Sequence, residues 1–190
     1  MKEGDFLTID NIIQLFNTND RLYVVDCYPF VVLDNKKFSQ IEHTKKRNSK
    51  MLKYKSRHEE DLIINFFETI WLYSKTKAYL FDYKKNIMNQ ISYVKIKKHF
   101  RFNEFFEIDQ INNINEIFKP IFKEYSSAYF VFENFRNKGN IYMYLDGTTG
   151  LIVVEDPEQE NDINIIATNC HLFVRKQINK TGDGSMIDSE

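Results

Sequence analysis

Glycine and proline are scarce in this chain, which has 6 Gly and 3 Pro among its 190 residues. Glycine allows backbone amides to approach a phosphate closely, so the large nucleotide-binding families depend on glycine-rich loops. The scarcity weighs against those families. It also predicts a backbone that is mostly regular, because few positions remain for irregular coil.

Cysteine is equally rare, with only Cys27 and Cys170. Neither lies in a CxxC pair, which excludes a zinc knuckle and a thioredoxin-type redox pair. Unpaired cysteine usually behaves as a small core residue, so we expect free, buried thiols. A single long-range disulfide between the two is the alternative.

A net charge of one sign is absent as well, since 26 Lys and Arg balance 27 Asp and Glu. No global field therefore draws the whole molecule to nucleic acid or to a membrane. The first residues lack the apolar segment of a signal peptide, and no run approaches the roughly 18 apolar residues of a membrane span. We expect a cytoplasmic protein that does not bind membranes.

Apolar and aromatic residues are plentiful: 43% of the chain is hydrophobic, with 17 Phe and 11 Tyr. Large rings bury much surface per residue, which favours a folded core. The patterns predict an α+β fold, a single domain over residues 1–178 with an antiparallel sheet packed by about three helices. The polar residues 179–190 are expected to form a flexible tail.

Apolar residues at helical spacing predict three helices. The first covers residues 9–16, capped by Thr8 or Asp10; the second covers 58–73; the third covers 111–125, capped by Asp109 and kinked at Pro120. The second has two rows on one face, Leu62/Phe66/Ile70 and Ile63/Phe67/Trp71.

Short runs rich in β-branched and aromatic residues predict the strands. Those before the C-terminal third are residues 22–27, 30–33, 78–82 and 91–96, the last two forming a hairpin. The C-terminal β-meander comprises residues 128–132, 141–145 and 151–154, with 163–166 and 172–174 as extensions.

The segment Asp146-Gly-Thr-Thr-Gly150 is the most motif-like stretch. Glycine beside an aspartate is found in phosphate-binding loops, but this segment has no following lysine and no helix start. Asp-Gly between two strands is typical of a hairpin turn. We predict a structural turn, with a binding loop at the rim of the sheet as the alternative.

An acidic segment follows at residues 155–162. It is interpreted as a solvated connection, as an acidic surface for a basic partner, or as a calcium site, although Pro157 and the lack of a central glycine do not fit an EF-hand. Tyr142 and Tyr144 lie on one face of their strand and would join this surface if that face is exposed. The candidate partner-binding residues are Glu155, Asp156, Glu158, Glu160, Asp162, Tyr142 and Tyr144.

A basic segment occupies residues 36–57, which contain the single acid Glu42. It is predicted to be a mobile loop or a solvated helix. Lysine and arginine bind phosphate backbones by releasing counterions, so this segment is the alternative, nucleic-acid-binding site. The candidate residues are Lys45, Lys46, Arg47, Lys50, Lys53, Lys55 and Arg57.

Catalytic signatures are weak. The four histidines show no i, i+4 pair, and Cys170 and His171 would point to opposite faces of a strand. An enzyme would have to draw on Asp146, Glu155 and Asp156, brought together in three dimensions. We predict neither a catalytic residue, a cofactor nor a metal site.

Separate basic and acidic segments on a nearly neutral chain suit electrostatically steered protein association. The leading hypothesis is therefore a non-enzymatic protein-binding module, an inhibitor or immunity protein that neutralises a basic toxin domain. Nucleic-acid binding through residues 36–57 is the second hypothesis.

Overall fold

The computed structural model describes residues 8–27, 49–81, 101–122 and 126–177, with side chains described from residue 58 onward in the second range. The described helices are α1 (Ile9–Thr18), α2 (Ser49–Trp71), α3 (Ile111–Phe122) and α4 (Glu158–Asn169). The strands are β1 (Leu22–Asp26), β2 (Lys75–Leu80), β3 (Phe105–Glu107), β4 (Ala128–Glu133), β5 (Ile141–Asp146), β6 (Thr149–Val154) and β7 (Phe173–Lys176). The α+β class is confirmed.

The strands form one antiparallel sheet in the order β3-β2-β4-β5-β6-β1-β7. Its centre is the predicted meander, in which β4, β5 and β6 follow one another in the chain and pair side by side. Asp146 pairs with Thr149, which leaves a two-residue turn at Gly147 and Thr148. Gly147 has a φ of 63°, the left-handed conformation that such turns require. The predicted hairpin turn is therefore confirmed.

The larger core lies between one face of the sheet and helices α2, α3 and α4. Phe67 of α2 is at its centre, with ring-centroid distances of 4.7 Å to Phe130, 5.1 Å to Phe132 and 4.9 Å to Phe118. Phe130 and Phe132 share a sheet face because side chains alternate along a strand. Burying each ring contributes roughly 1.5–3 kcal/mol. The predicted apolar face of α2 is thus the face that anchors this helix.

Helix α1 covers part of the opposite face of the sheet. The side chain of Thr8 accepts a hydrogen bond from the backbone N–H of Asn11 at 3.3 Å, so the expected N-cap is confirmed. Ile12 and Phe16 then pack in a second cluster that includes Tyr142 of β5. Tyr142 has no exposed surface. It is therefore not the exposed aromatic residue that a partner-binding role requires.

The predicted strand at residues 163–166 is wrong, because these residues lie within α4. Ile163, Ile166 and Ala167 are buried and recur at helical spacing, whereas Ile165 is 51% exposed. A four-residue apolar run does not by itself distinguish a strand from a buried helix segment. The expected interpretation of residues 155–162 as a solvated connection is wrong for the same reason, since α4 begins at Glu158.

The predicted hairpin of residues 78–82 with 91–96 is also wrong at Ala78 and Tyr79. Here β2 pairs with β3 on one side and with β4 on the other, so no backbone edge remains for a third strand. Residues 91–96 themselves lie outside the described residues, as do the predicted strand 30–33 and the predicted tail 179–190. The domain limit at residue 178 stays a prediction.

Candidate functional site

The acidic segment 155–162 binds mainly to its own molecule. Glu155 Oε1 accepts a hydrogen bond from the hydroxyl of Tyr142 at 2.7 Å, and its Oε2 accepts one from the backbone N–H of Asn140 at 2.9 Å. Asp156 Oδ1 accepts the backbone N–H of Glu158 at 2.7 Å, at the start of α4. Glu155 therefore joins the loop between β4 and β5 to the junction of β6 and α4, whereas the Asp156 carboxylate binds the first backbone N–H of α4.

The same loop neutralises two further acids. Asp162, whose side chain is only 12% exposed, pairs with Arg136 Nη1 at 2.8 Å and with Lys138 Nζ at 3.4 Å. Lys138 also pairs with Glu158 at 3.1 Å, and the hydrogen bond that Lys138 donates to Glu158, with Asp162 adding to the effect, raises the pKa of Lys138. Glu158 is 75% exposed. Of this ion-paired cluster it is the acid most open to a partner.

Two tyrosines have acids close to them. Burial, with the Glu155 carboxylate adding to it, raises the pKa of Tyr142. Burial and then the neighbouring Glu160 raise the pKa of Tyr23 to about 12. Both hydroxyls therefore stay protonated at neutral pH. Tyr144 is half-buried, with its ring 4.8 Å from that of Tyr129.

The basic segment remains largely outside the described part of the chain. Residues 45–47 lie outside it, and the backbone of residues 50–57 forms the first turns of α2, while the side chains there are not described. The helical alternative for this segment is thus confirmed from Ser49 onward. Nucleic-acid binding by the listed lysines and arginines stays a prediction.

The carboxylates on which an enzyme would have to draw do not converge. Asp146 ends β5 at the hairpin turn, whereas Glu155 follows β6 at the far end of the same two strands. Five residues of strand separate these ends, which is about 17 Å. Asp146 and Glu155 are both exposed. They do not meet in one pocket with Asp156.

The two thiols lie beside α2, next to helix residues that are ten positions apart, Glu59 and Thr69. Cys27 Sγ is 3.9 Å from the backbone oxygen of Glu59, and Thr69 lies beside Cys170. Ten helical residues span about 15 Å, too far for a disulfide. The free thiols are confirmed, although both are half-buried. Burial raises the pKa of both, that of Cys27 to about 12, so neither is an activated nucleophile.

A surface that the sequence did not single out lies where α2 ends and β2 begins. Leu72 is 69% exposed and Tyr73 is 52% exposed, while Trp71 is half-buried beside them. The guanidinium of Arg136, from the β4–β5 loop, lies 4.8 Å from the centre of the Tyr73 ring. We call Trp71, Leu72, Tyr73 and Arg136 the α2–β2 corner. The apolar row of α2 ends at Trp71, which was the signal that the next two residues leave the core.

The β4–β5 loop, residues 134–140, holds Arg136 in place through an unusual backbone. Asn134, Arg136 and Asn137 have φ values of 50°, 49° and 62°, all in the left-handed region. Each such non-glycine residue costs roughly 1 kcal/mol or more, and such strain clusters at functional sites. The loop is held by the fully buried ring of Phe135 and by its backbone N–H, which bonds to the oxygen of Gly139 at 2.8 Å.

A cleft of about 310 Å³ opens beside the corner. Its walls come from the turn after α2, the start of β2 and the connection between β3 and α3: Trp71, Leu72, Ser74, Lys75, Thr76, Glu107, Ile108 and Asp109. The indole N–H of Trp71 donates to the backbone oxygen of Ile108 at 2.8 Å, which fixes the ring in the wall. Lys75 and Glu107 form an ion pair of 3.5 Å at the rim.

The described residues offer neither a metal site nor a membrane-spanning helix. They contain no group of three His, Cys, Asp or Glu side chains placed to hold a metal ion. Among them there is also no helix with the length and apolarity needed to cross a membrane. Comparison with protein-family models, with curated proteins and with solved structures finds no match to this chain.

Proposed function

We propose that this protein is a non-enzymatic protein-binding domain that docks its partner through the α2–β2 corner. Tryptophan, tyrosine and arginine are the residue types that contribute most to binding hot spots. All three meet here, together with the most exposed large apolar side chain described, Leu72. The observation that carries the proposal is the stacking of Arg136 on the half-exposed ring of Tyr73.

The corner is ordered before any partner arrives. Asp162 holds the Arg136 guanidinium at 2.8 Å, and the indole N–H of Trp71 is bonded to Ile108. Binding loses roughly 0.5–1.5 kcal/mol for each flexible side chain that it must immobilise, so groups already fixed lose less. A rigid corner of this kind favours tight docking.

The acidic segment adds negative charge at the end of the sheet where the corner lies. Asp162 reaches the corner through its ion pair with Arg136, and Glu158 pairs with Lys138 of the same loop and stays 75% exposed. The acidic segment carries five carboxylates against the two cations of the loop, Arg136 and Lys138, and this excess of negative charge steers a basic partner and disfavours an acidic one. We therefore propose an inhibitor or immunity protein for a basic toxin domain as the specific form of this function.

Affinity capture from the native host tests the proposal. Wild type, the double variant Leu72→Ser/Tyr73→Ser and the control Ile165→Ser are each used as bait, and bound proteins are quantified by mass spectrometry. Ile165 is 51% exposed on α4, so it matches Tyr73 in exposure without belonging to the corner. We expect one stoichiometric protein that wild type and the control retain and the double variant loses.

A protein that the double variant still captures would make its contact elsewhere, and this result would overturn the proposal. Treatment with nuclease before capture tests the second hypothesis, nucleic-acid binding. If the captured material disappears on that treatment, the protein acts on nucleic acid, and the basic segment 36–57 becomes the site to mutate. An enzyme-inhibition assay on a captured protein then tests the inhibitor role.

A further inference from the structure

We infer that the cleft beside the α2–β2 corner receives a large apolar side chain of the partner that is flanked by a lysine or arginine. This inference rests on the proposed function and names the partner segment that it requires. It draws on the cleft's volume, its lining and the charges at its rim.

The volume and the apolar part of the lining suit an apolar side chain, while the other lining residues, Ser74, Lys75, Thr76, Glu107 and Asp109, are polar or charged. The cleft of about 310 Å³ is at the small end of ligand sites, which run from about 300 to 1,000 Å³. That is room for one large side chain and too little for a dinucleotide cofactor. Trp71, Leu72 and Ile108 supply apolar walls. The indole N–H of Trp71 is already bonded to the protein, so it is not available to a polar ligand.

The charges at the rim select a basic neighbour. Lys75 is paired with Glu107, so these two opposite charges largely offset each other. Asp109 is exposed, and among the described residues its side chain accepts one hydrogen bond, from the Asn113 amide at 3.4 Å. Within the described part of the chain, the negative charge of Asp109 at the rim thus has no ion-pair partner. A phosphate or a carboxylate is repelled there, whereas a lysine or arginine is attracted.

The single tryptophan of the chain gives a direct readout, because Trp71 lines the cleft and no other indole contributes. Two blocked tetrapeptides serve as probes, Gly-Leu-Arg-Gly and Gly-Leu-Glu-Gly. Each is titrated into the full-length protein while the indole N–H resonance and the tryptophan fluorescence are followed. We expect the arginine peptide to shift both signals with millimolar affinity, and the glutamate peptide to bind about two- to five-fold more weakly, as one exposed charge pair allows.

Two variants test whether Asp109 causes the preference for the arginine peptide. Asp109→Asn should bring the two peptides to within two-fold of each other, because it removes this negative charge at the rim. Glu116→Gln is the matched control: Glu116 is an exposed acid of α3 that does not line the cleft, and this change should leave the preference intact. An indole resonance at the wild-type position shows that each variant is folded.

Three results would overturn the inference. These are an indole signal that neither peptide moves at about 10 mM, equal binding of the two peptides, and a preference that persists in Asp109→Asn. If capture still depends on Leu72 and Tyr73 in any of these cases, protein binding through the corner stands and only the cleft assignment fails. If capture is independent of the corner while the peptides are still discriminated, the proposed function fails instead.

Discussion

Replacing Asp162 by asparagine tests how the β4–β5 loop is held. The carboxylate is 12% exposed and pairs with Arg136 at 2.8 Å and with Lys138 at 3.4 Å. Asparagine has nearly the same size and keeps one oxygen acceptor, so Asp162→Asn removes the charge with little change in packing. The variant leaves two cations facing a neutral group.

The expected loss follows from these contacts. A hydrogen bond to a charged group contributes about 1.5–3 kcal/mol, and removing one partner of a buried ion pair costs about 3–5 kcal/mol. The Arg136 side chain is 38% exposed, so water partly compensates it and the lower figures apply. We expect unfolding free energy to fall by about 2 kcal/mol. The left-handed residues Asn134 and Asn137 lose support at the same time.

Urea denaturation measures this change. With a slope of about 2 kcal/mol per M, a loss of about 2 kcal/mol moves the midpoint down by about 1 M at an unchanged slope. Glu158→Gln is the control on the same helix, since its carboxylate pairs with Lys138 but is 75% exposed. Exposed pairs contribute about 0–1 kcal/mol, so the control should change little.

A double-mutant cycle with Arg136→Met completes the test. If the Arg136–Asp162 pair stabilises the loop, the double variant should lose less unfolding free energy than the sum of the two single variants. We expect the difference to be about 1 kcal/mol or more. Strictly additive losses would refute the reasoning. So would an Asp162→Asn variant that is no less stable than Glu158→Gln.

Two further predictions concern glycines in the connections between strands and the buried Tyr142. Gly139 has a φ of 115°, and a Cβ there would lie 3.2 Å from Glu155 Oε2, so Gly139→Ala should lower the unfolding free energy by about 2 kcal/mol. Gly147→Ala, at φ 63° with open space around it, should lower it by about 1 kcal/mol; equal losses in thermal unfolding would contradict the crowding argument. The fold raises the pKa of Tyr142 above its unfolded value of about 10, so its contribution is complete below pH 10 and declines as pH rises further. Urea titrations from pH 9 to 11.5 should show a decline of at most about 1.4 kcal/mol per pH unit that is smaller in Tyr142→Phe, and parallel curves would contradict this assignment.

Elements defined by local periodicity were predictable. The helix after Thr8, the apolar face of α2 and the three meander strands were each indicated by spacing within ten to fifteen residues. Helix α4 was missed because its short apolar run fits a strand equally well, and only burial of Ile163, Ile166 and Ala167 on one side distinguishes the two.

The candidate site was only partly predictable. The acidic residues were identified, but their pairing with Arg136 and Lys138 was not, since the paired residues are 20 to 26 positions apart in the chain. That pairing neutralises two of the five acids, Glu158 and Asp162. Tyr142 shows the same limit: alternation placed it on a face with Tyr144, but alternation does not say that α1 covers that face at Tyr142.

The sequence by itself determined the α+β class, the meander and its Asp146–Gly150 turn, because each follows from side-chain periodicity and turn chemistry close in the chain. Tertiary structure decided which polar groups remain open to a partner. Arg136 meets Tyr73 across 63 residues of chain, and the cleft wall joins Trp71 to Ile108. Such contacts depend on how strands order in the sheet and how helices pack on it, and no local pattern encodes either.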